Sequence, residues 1–281
     1  MNQKLTGKQY TLLASMLFGM FFGAGNLIFP IILGAKAGAS LVPALLGMLI
    51  TAVGMPLLGI VALGVSRSSG LMQMSGRVAK WYSYFFTCAL YLTIGPFFAI
   101  PRCAATSFTM GIAPLVSGSH TVPQAIFTTL FFAAVLFFAL RPNNIMNSIG
   151  KYLNPIFLIC LGILVVAALL DPIQSVGSVA ASGAYADNAF STGFLQGYDT
   201  LDALASLAFG IIVVNVIKEM GVEEPGAIAK NTIKSGVFSM VLMTVIYALI
   251  AIVGAQSYGL YADQLGEPSF NGGNAFAIVA Q

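Results

Sequence analysis

Charge is what this chain has least of: 12 basic and 9 acidic residues in 281, or 7%. A soluble domain carries about a quarter, so the sequence excludes one. Cysteine and histidine are scarce as well. Cys88, Cys103 and Cys160 all fall inside long apolar runs without CxxC spacing, and the only histidine is His120. That excludes a clustered zinc site, a disulfide framework and a Ser-His-Asp triad. No nucleophile elbow or phosphate loop is present, so no enzyme is expected. The net charge of +3 does not point to nucleic acid, because the Lys and Arg residues lie between apolar runs rather than on one basic face.

What is abundant is apolar surface, at 58% of residues with a mean hydropathy of +0.91. Uncharged stretches of 27, 30 and 21 residues separate Lys8 from Lys36, Lys36 from Arg67 and Lys80 from Arg102. A membrane helix needs about 20. Further runs predict an all-α, polytopic membrane protein with helices over about 10–34, 41–65, 81–113, 122–140, 152–170, 196–217 and 233–257. The first run follows Lys4 and Lys8 directly and is too long for a signal-peptide core, so it is expected to stay as a helix. The apolar residues 275–281 read as the start of an eighth helix, and the chain as a fragment of a longer carrier.

Alternating spans place Lys4, Lys8, Arg67, Arg77, Lys80, Arg141, Lys151, Lys218, Lys230 and Lys234 on one side. By the positive-inside rule that side, with the amino terminus, is cytoplasmic. Residues 171–197 then form the longest outer loop. Pro225, beside acidic Glu223 and Glu224, suits the first turn of a short surface helix.

Two spans look weak in the middle. The first carries Phe21-Phe22-Gly23-Ala24-Gly25-Asn26-Leu27-Ile28-Phe29-Pro30, where two glycines, an amide and a proline replace the usual Leu and Val. Freed backbone groups in a bilayer must find partners, and a bound ion or solute is one. A glycine pair also serves close packing. The sixth span carries the second interrupted segment, residues 198–210, with Asp199 and Asp202 near its outer end and Ser206 and Gly210 in its middle. It lies five helices later and runs the opposite way, as in an inverted repeat. The candidate substrate site is therefore Phe22, Gly23, Ala24, Gly25, Asn26, Ser206, Phe209 and Gly210, with Gly23, Asn26 and Ser206 as candidate ion-coupling residues. Half-helix amino ends suit a substrate carboxylate, and unwound carbonyls suit a cation.

Arg102 closes the segment Gly95-Pro96-Phe97-Phe98-Ala99-Ile100-Pro101-Arg102. It is either an arginine snorkelling at the outer interface or half of a gating pair with Asp202 or with a carboxylate on another helix. His120 reads as an exposed loop residue, and Asn143, Asn144 and Asn147 as turn residues.

The segments 21–30, 95–102 and Phe209-Gly210-Ile211-Ile212-Val213-Val214-Asn215, with Gly111-Ile112-Ala113-Pro114, resemble the branched-chain amino acid transport system II carriers. The resemblance implies a LeuT-like five-plus-five inverted-repeat fold, incomplete here: helices 1–5 over 10–170, then helices 6–7 and the start of 8 over 196–281. It implies a plasma-membrane carrier, bacterial in origin, that imports leucine, isoleucine and valine with sodium or protons as coupling ion and no other cofactor. Helix 8, which supplies cation ligands in related sodium carriers, is not among these residues. Some relatives carry a glutamate where Thr109 follows Ser107-Phe108, and its loss here favours sodium. The alternatives are a same-fold carrier for another amino acid or a nucleobase, and a fragment that does not transport.

Overall fold

The computed structural model describes residues 5–66, 68, 70–140, 153–222, 224–267 and 269–281. Lys4, Arg67, Arg141, Lys151, Glu223, Asn143, Asn144 and Asn147 lie outside the described residues. All regular elements among the described residues are helices. The protein is an all-α polytopic membrane protein.

The first span is two helices, α1 (Gly7–Phe21) and α2 (Ala24–Ala37), separated at Phe22-Gly23. Pro30 sits inside α2 and has no N–H to return to the Asn26 carbonyl, which leaves that turn open. At Gly38 the backbone turns left-handed (φ 48°), and a 3₁₀ turn leads into α3 (Leu41–Leu49) and α4 (Met55–Ser66). As one straight rod, the 43 helical residues from Ala24 to Ser66 would reach about 65 Å, twice a bilayer core. The chain instead folds back: the Lys36 carbonyl accepts from Ser182 at 2.9 Å at one end, while Gly64 faces Thr232 at the other.

A short helix, α5 (Leu71–Ser75), precedes the third span. That span is α6 (Lys80–Leu92) and α7 (Ala99–Gly111), interrupted by a π-turn in which Gly95 is non-helical. Pro96 lies within that turn and cannot donate to the preceding turn of helix. Next come α8 (Thr121–Ala139) and α9 (Asn154–Leu170), both close to expectation.

The sixth span departs from expectation. Residues 171–197 are not wholly loop, because α10 (Ala184–Tyr198) forms there and continues, across a 41° bend, into α11 (Asp202–Glu219). Its Gly193, Gly197 and Ala189 serve helix packing rather than turn formation. A Cβ on Gly193 would overlap the Ala44 carbonyl, and one on Gly47 the Phe190 carbonyl. Only small residues allow α3 and α10 to approach so closely. The 15 uncharged positions from Asp202 to Lys218 are too few for a span because they are only its second half.

The seventh span, α12 (Pro225–Gln256), also begins earlier than expected. Pro225 opens this 32-residue helix itself, not a separate surface helix. The α12 helix is the hub of the core, where Met243, Tyr247, Ile250 and Ala251 are buried among residues of the first and second spans. Gly34 and Gly254 fit it to α2, since a Cβ on either would overlap a carbonyl of the other helix, at Ala251 or Ile31. Residues 272–279 form α13 (Gly272–Val279), packed on α2 and α7.

The close α2–α12 contact predicts that Gly254→Val destabilises the protein by about 1–3 kcal/mol through overpacking. SDS titration of mixed micelles should show a lower unfolding midpoint. Gly162→Ala, with nothing within 4 Å of the new methyl, should leave that midpoint unchanged or raised.

Candidate functional site

The two interruptions meet in space. Gly23 begins α2 with its N–H donating to Asn26 Oδ1 at 2.7 Å. That bond fixes the amide orientation, so Asn26 Nδ2 points into the protein. There it donates to Asp202 Oδ2 at 2.6 Å and to the Tyr247 hydroxyl. The Tyr247 O–H donates to the same carboxylate oxygen at 3.0 Å. Asn26, Asp202 and Tyr247 are 1%, 3% and 0% exposed. One closed triangle therefore joins the break in the first span, the break in the sixth and the middle of the seventh.

The second break lies at Asp199-Thr200-Leu201, at the start of the expected segment 198–210 and not around Ser206 and Gly210. Leu201 has φ 66°, a left-handed conformation that costs a non-glycine residue about 1–2 kcal/mol. The freed polar groups find protein partners. Thr200 Oγ1 donates to the Gly197 carbonyl at 2.9 Å and accepts from the Asp202 N–H at 3.4 Å. Arg102 Nη1 donates to the Asp199 carbonyl at 2.5 Å, with the guanidinium 5.1 Å from the centroid of the Phe29 ring. Gly25 makes room for both, because a Cβ there would stand 3.2 Å from Arg102 Nη1 and from Thr200 Cα.

Arg102 is thus neither a free interfacial arginine nor bonded to the Asp202 carboxylate. It caps the second break through the backbone. Asp202 is not near the outer end of its span but in the first turn of the second half-helix. It has no ion pair with a Lys or Arg among the described residues.

Beside the first break lies a cavity of about 720 Å³, within the range of small-molecule sites. Phe22, Gly23 and Ala24 line it, with Phe18, Leu27, Met110 and Phe157 as apolar wall. Cys103, Thr106 and Ser107 of α7 and Asn154 of α9 are its polar members. Phe22 stacks on Phe18 at 4.9 Å and approaches Phe157 at 5.2 Å. The Ala24 and Gly25 N–H groups, at the start of α2, have no partner among the described residues. A helix amino end beside an apolar cavity suits a carboxylate with an aliphatic tail.

Five predicted residues, Phe22 to Asn26, therefore lie on or directly behind one cavity, with Gly25 and Asn26 behind it. Ser206, Phe209 and Gly210 do not line it. Ser206 is buried against Gly59 of α4 and donates to the Ala203 carbonyl at 2.7 Å; Gly210 admits Leu63; Phe209 packs against the core. The small size of Ser206 and Gly210 marked a helix contact. Tyr247, Thr200 and Phe157 went unpredicted. Tyr247 was detectable as a hydroxyl inside the uncharged run from Lys234 to Asp263.

Comparison with known proteins gives a consistent family. The family described as branched-chain amino acid transport protein matches residues 6–281. The branched-chain amino acid permease BrnQ of Lactobacillus delbrueckii subsp. lactis is 51% identical over all of this chain and 62% of its own length. The Bacillus subtilis strain 168 permease of that name is 42% identical over 92% of this chain and 58% of its own length. Its Escherichia coli strain K12 namesake is 35% identical over all of this chain and 65% of its own length. The chain thus spans about three-fifths of the length of the curated relatives it matches. No solved structure matches it.

The buried triangle predicts that Tyr247→Phe, which removes one donor to the carboxylate, destabilises by about 1–3 kcal/mol. Asn26→Ala should cost more, because it strands both the Gly23 N–H and Asp202. Thermal unfolding in detergent checks the order; a Tyr247→Phe protein that melts like the wild type would remove the hydroxyl from this account.

Proposed function

The chain belongs to the branched-chain amino acid transport protein family, and from that premise we propose that it is a bacterial secondary carrier for leucine, isoleucine and valine. Import runs by symport with a cation through alternating access. The observation that carries this reading is the cavity at Phe22-Gly23-Ala24, which sets free N–H groups at the start of α2 beside an apolar wall. The substrate carboxylate takes the Ala24 N–H, and the aliphatic side chain lies against Phe18, Phe22 and Phe157. A single methylene is worth only about 1–3 kcal/mol in such a wall, so the three substrates compete.

The LeuT-like inverted-repeat architecture is part of the same proposal. It is supported by two spans that are each interrupted part-way, at Phe22-Gly23 in the first and at Asp199-Leu201 in the sixth. A cytoplasmic amino terminus is supported by Lys234 lying over the Tyr10 ring at 5.9 Å, which puts two basic segments at one end. Arg102 and Asp202 gate indirectly in this reading. Arg102 holds the Asp199 carbonyl and Asp202 holds Asn26, so both breaks must shift when the site opens.

Binding of labelled leucine to the purified protein should be displaced by isoleucine and valine with affinities within about tenfold of each other. A nucleobase that displaces leucine equally well sinks the substrate assignment. In a protein with Cys88 and Cys160 replaced by serine, bound leucine should slow modification of Cys103 by a small thiol reagent. Undiminished labelling places the substrate elsewhere. In proteoliposomes, leucine uptake indifferent to both sodium and pH gradients rejects symport.

A further inference from the structure

We propose that Asp202 carries a proton for this transporter, taking it up when the outer path is open and releasing it when the inner path is open. The proposal rests on the transport reading above and adds the identity of the coupling ion and its carrier. It begins from an unusual arrangement: a carboxylate 3% exposed, midway along a membrane span, with no cation bonded to it among the described residues. An ionised carboxylate in such a place is costly and marks function. Neutralisation by a proton removes that cost.

The surrounding atoms favour a proton over a metal cation. Hard cations take oxygen lone pairs, yet Asn26 turns its oxygen to the Gly23 N–H and gives Asp202 its NH₂. Tyr247 contributes a hydroxyl that donates to the Asp202 carboxylate, and a hydroxyl can equally accept from a carboxylic acid. The site therefore accommodates both protonation states by hydroxyl rotation. Of the charged groups nearby, the Arg102 guanidinium is bonded to the Asp199 carbonyl, and Asp199 itself is exposed. On the opposite flank of α11, α4 has no ionisable side chain from Met55 to Ser66, and α1 has only Lys8 and Tyr10, in its first turn. Tyr247 is the ionisable group that α12 presents to it.

The step is a plain proton transfer. A proton from water forms an O–H bond on the Asp202 carboxylate, and that bond later breaks to return the proton to water on the other side. Because Asn26 belongs to the first break and Asp202 to the second, the change alters what holds the two together. Thr109 cannot carry a proton, but Asp202 supplies the carboxylate that Thr109 lacks.

The test has two arms on the whole protein. Infrared spectroscopy across a pH titration should show a carboxylic-acid C=O band that is lost in Asp202→Asn and retained in Asp199→Asn. A band unaffected by Asp202→Asn overturns the proposal. Tyr247→Phe should move the midpoint of that band, which keeps this arm decisive if Asp202→Asn does not fold; an unmoved midpoint then counts against the proposal. Leucine-binding calorimetry in buffers of different ionisation enthalpy should reveal proton uptake in the wild type and none in Asp202→Asn. In transport, one pH unit should then drive about tenfold accumulation, the ratio for one proton per substrate. Leucine binding without linked protons overturns the proposal while leaving the carrier reading intact. Absence of leucine binding counts instead against that reading, and the infrared arm still decides whether Asp202 holds a proton.

Discussion

A broken helix inside a bilayer must satisfy every backbone group it frees, and the rest of this structure depends on how that is done. In a medium without water each stranded N–H or C=O costs several kcal/mol. The two interruptions are therefore held by specific partners: Asn26 at Gly23 in one, and Thr200 and Arg102 at Gly197 and Asp199 in the other. Asn26 also reaches across to Asp202, so satisfying one break fixes its position against the other. Tyr247 completes the contact from the seventh span and ties both to the hub helix of the core.

This arrangement divides the breaks by role. The polar groups around Asp202 are closed into a buried triangle, while the start of α2 faces a cavity with N–H groups unpartnered among the described residues. The phenyl ring of Phe22 lines that cavity, stacked on Phe18, tilted against Phe157 and 6.5 Å from the Tyr247 ring.

Around this centre the packing is carbonyl-close where glycines face a neighbour, at Gly34 and Gly254 between α2 and α12 and at Gly47 and Gly193 between α3 and α10. Such contacts suit elements that move as units, because packed surfaces have few intermediate arrangements. The α8 helix, by contrast, has no buried residue and packs chiefly on α7. Its exposed Leu and Phe side chains are normal for a surface that meets lipid.

The positions of the first five spans and the first break at Phe22-Gly23 were legible from the sequence. Charge spacing sets where a helix can cross, and Gly-Ala-Gly-Asn with a following proline is a local signal of weakness. The second break was not legible in its place. Leu201 has no intrinsic preference for a left-handed conformation, and the Gly, Ala and Ser residues of 184–198 read as loop because their helix is stabilised by tertiary contact, chiefly with α3. Ser206 and Gly210 looked like a site for the same reason, although their partners are Gly59 and Leu63. What the amino-acid order determined by itself is the periodic and covalent part: apolar length, charge asymmetry and a conformationally weak segment. What only the tertiary structure decided is which polar groups meet. Asn26, Asp202 and Tyr247 are separated by 176 and 45 residues, and nothing in a local window encodes a bond that exists because three packed helices leave a buried carboxylate no other partner.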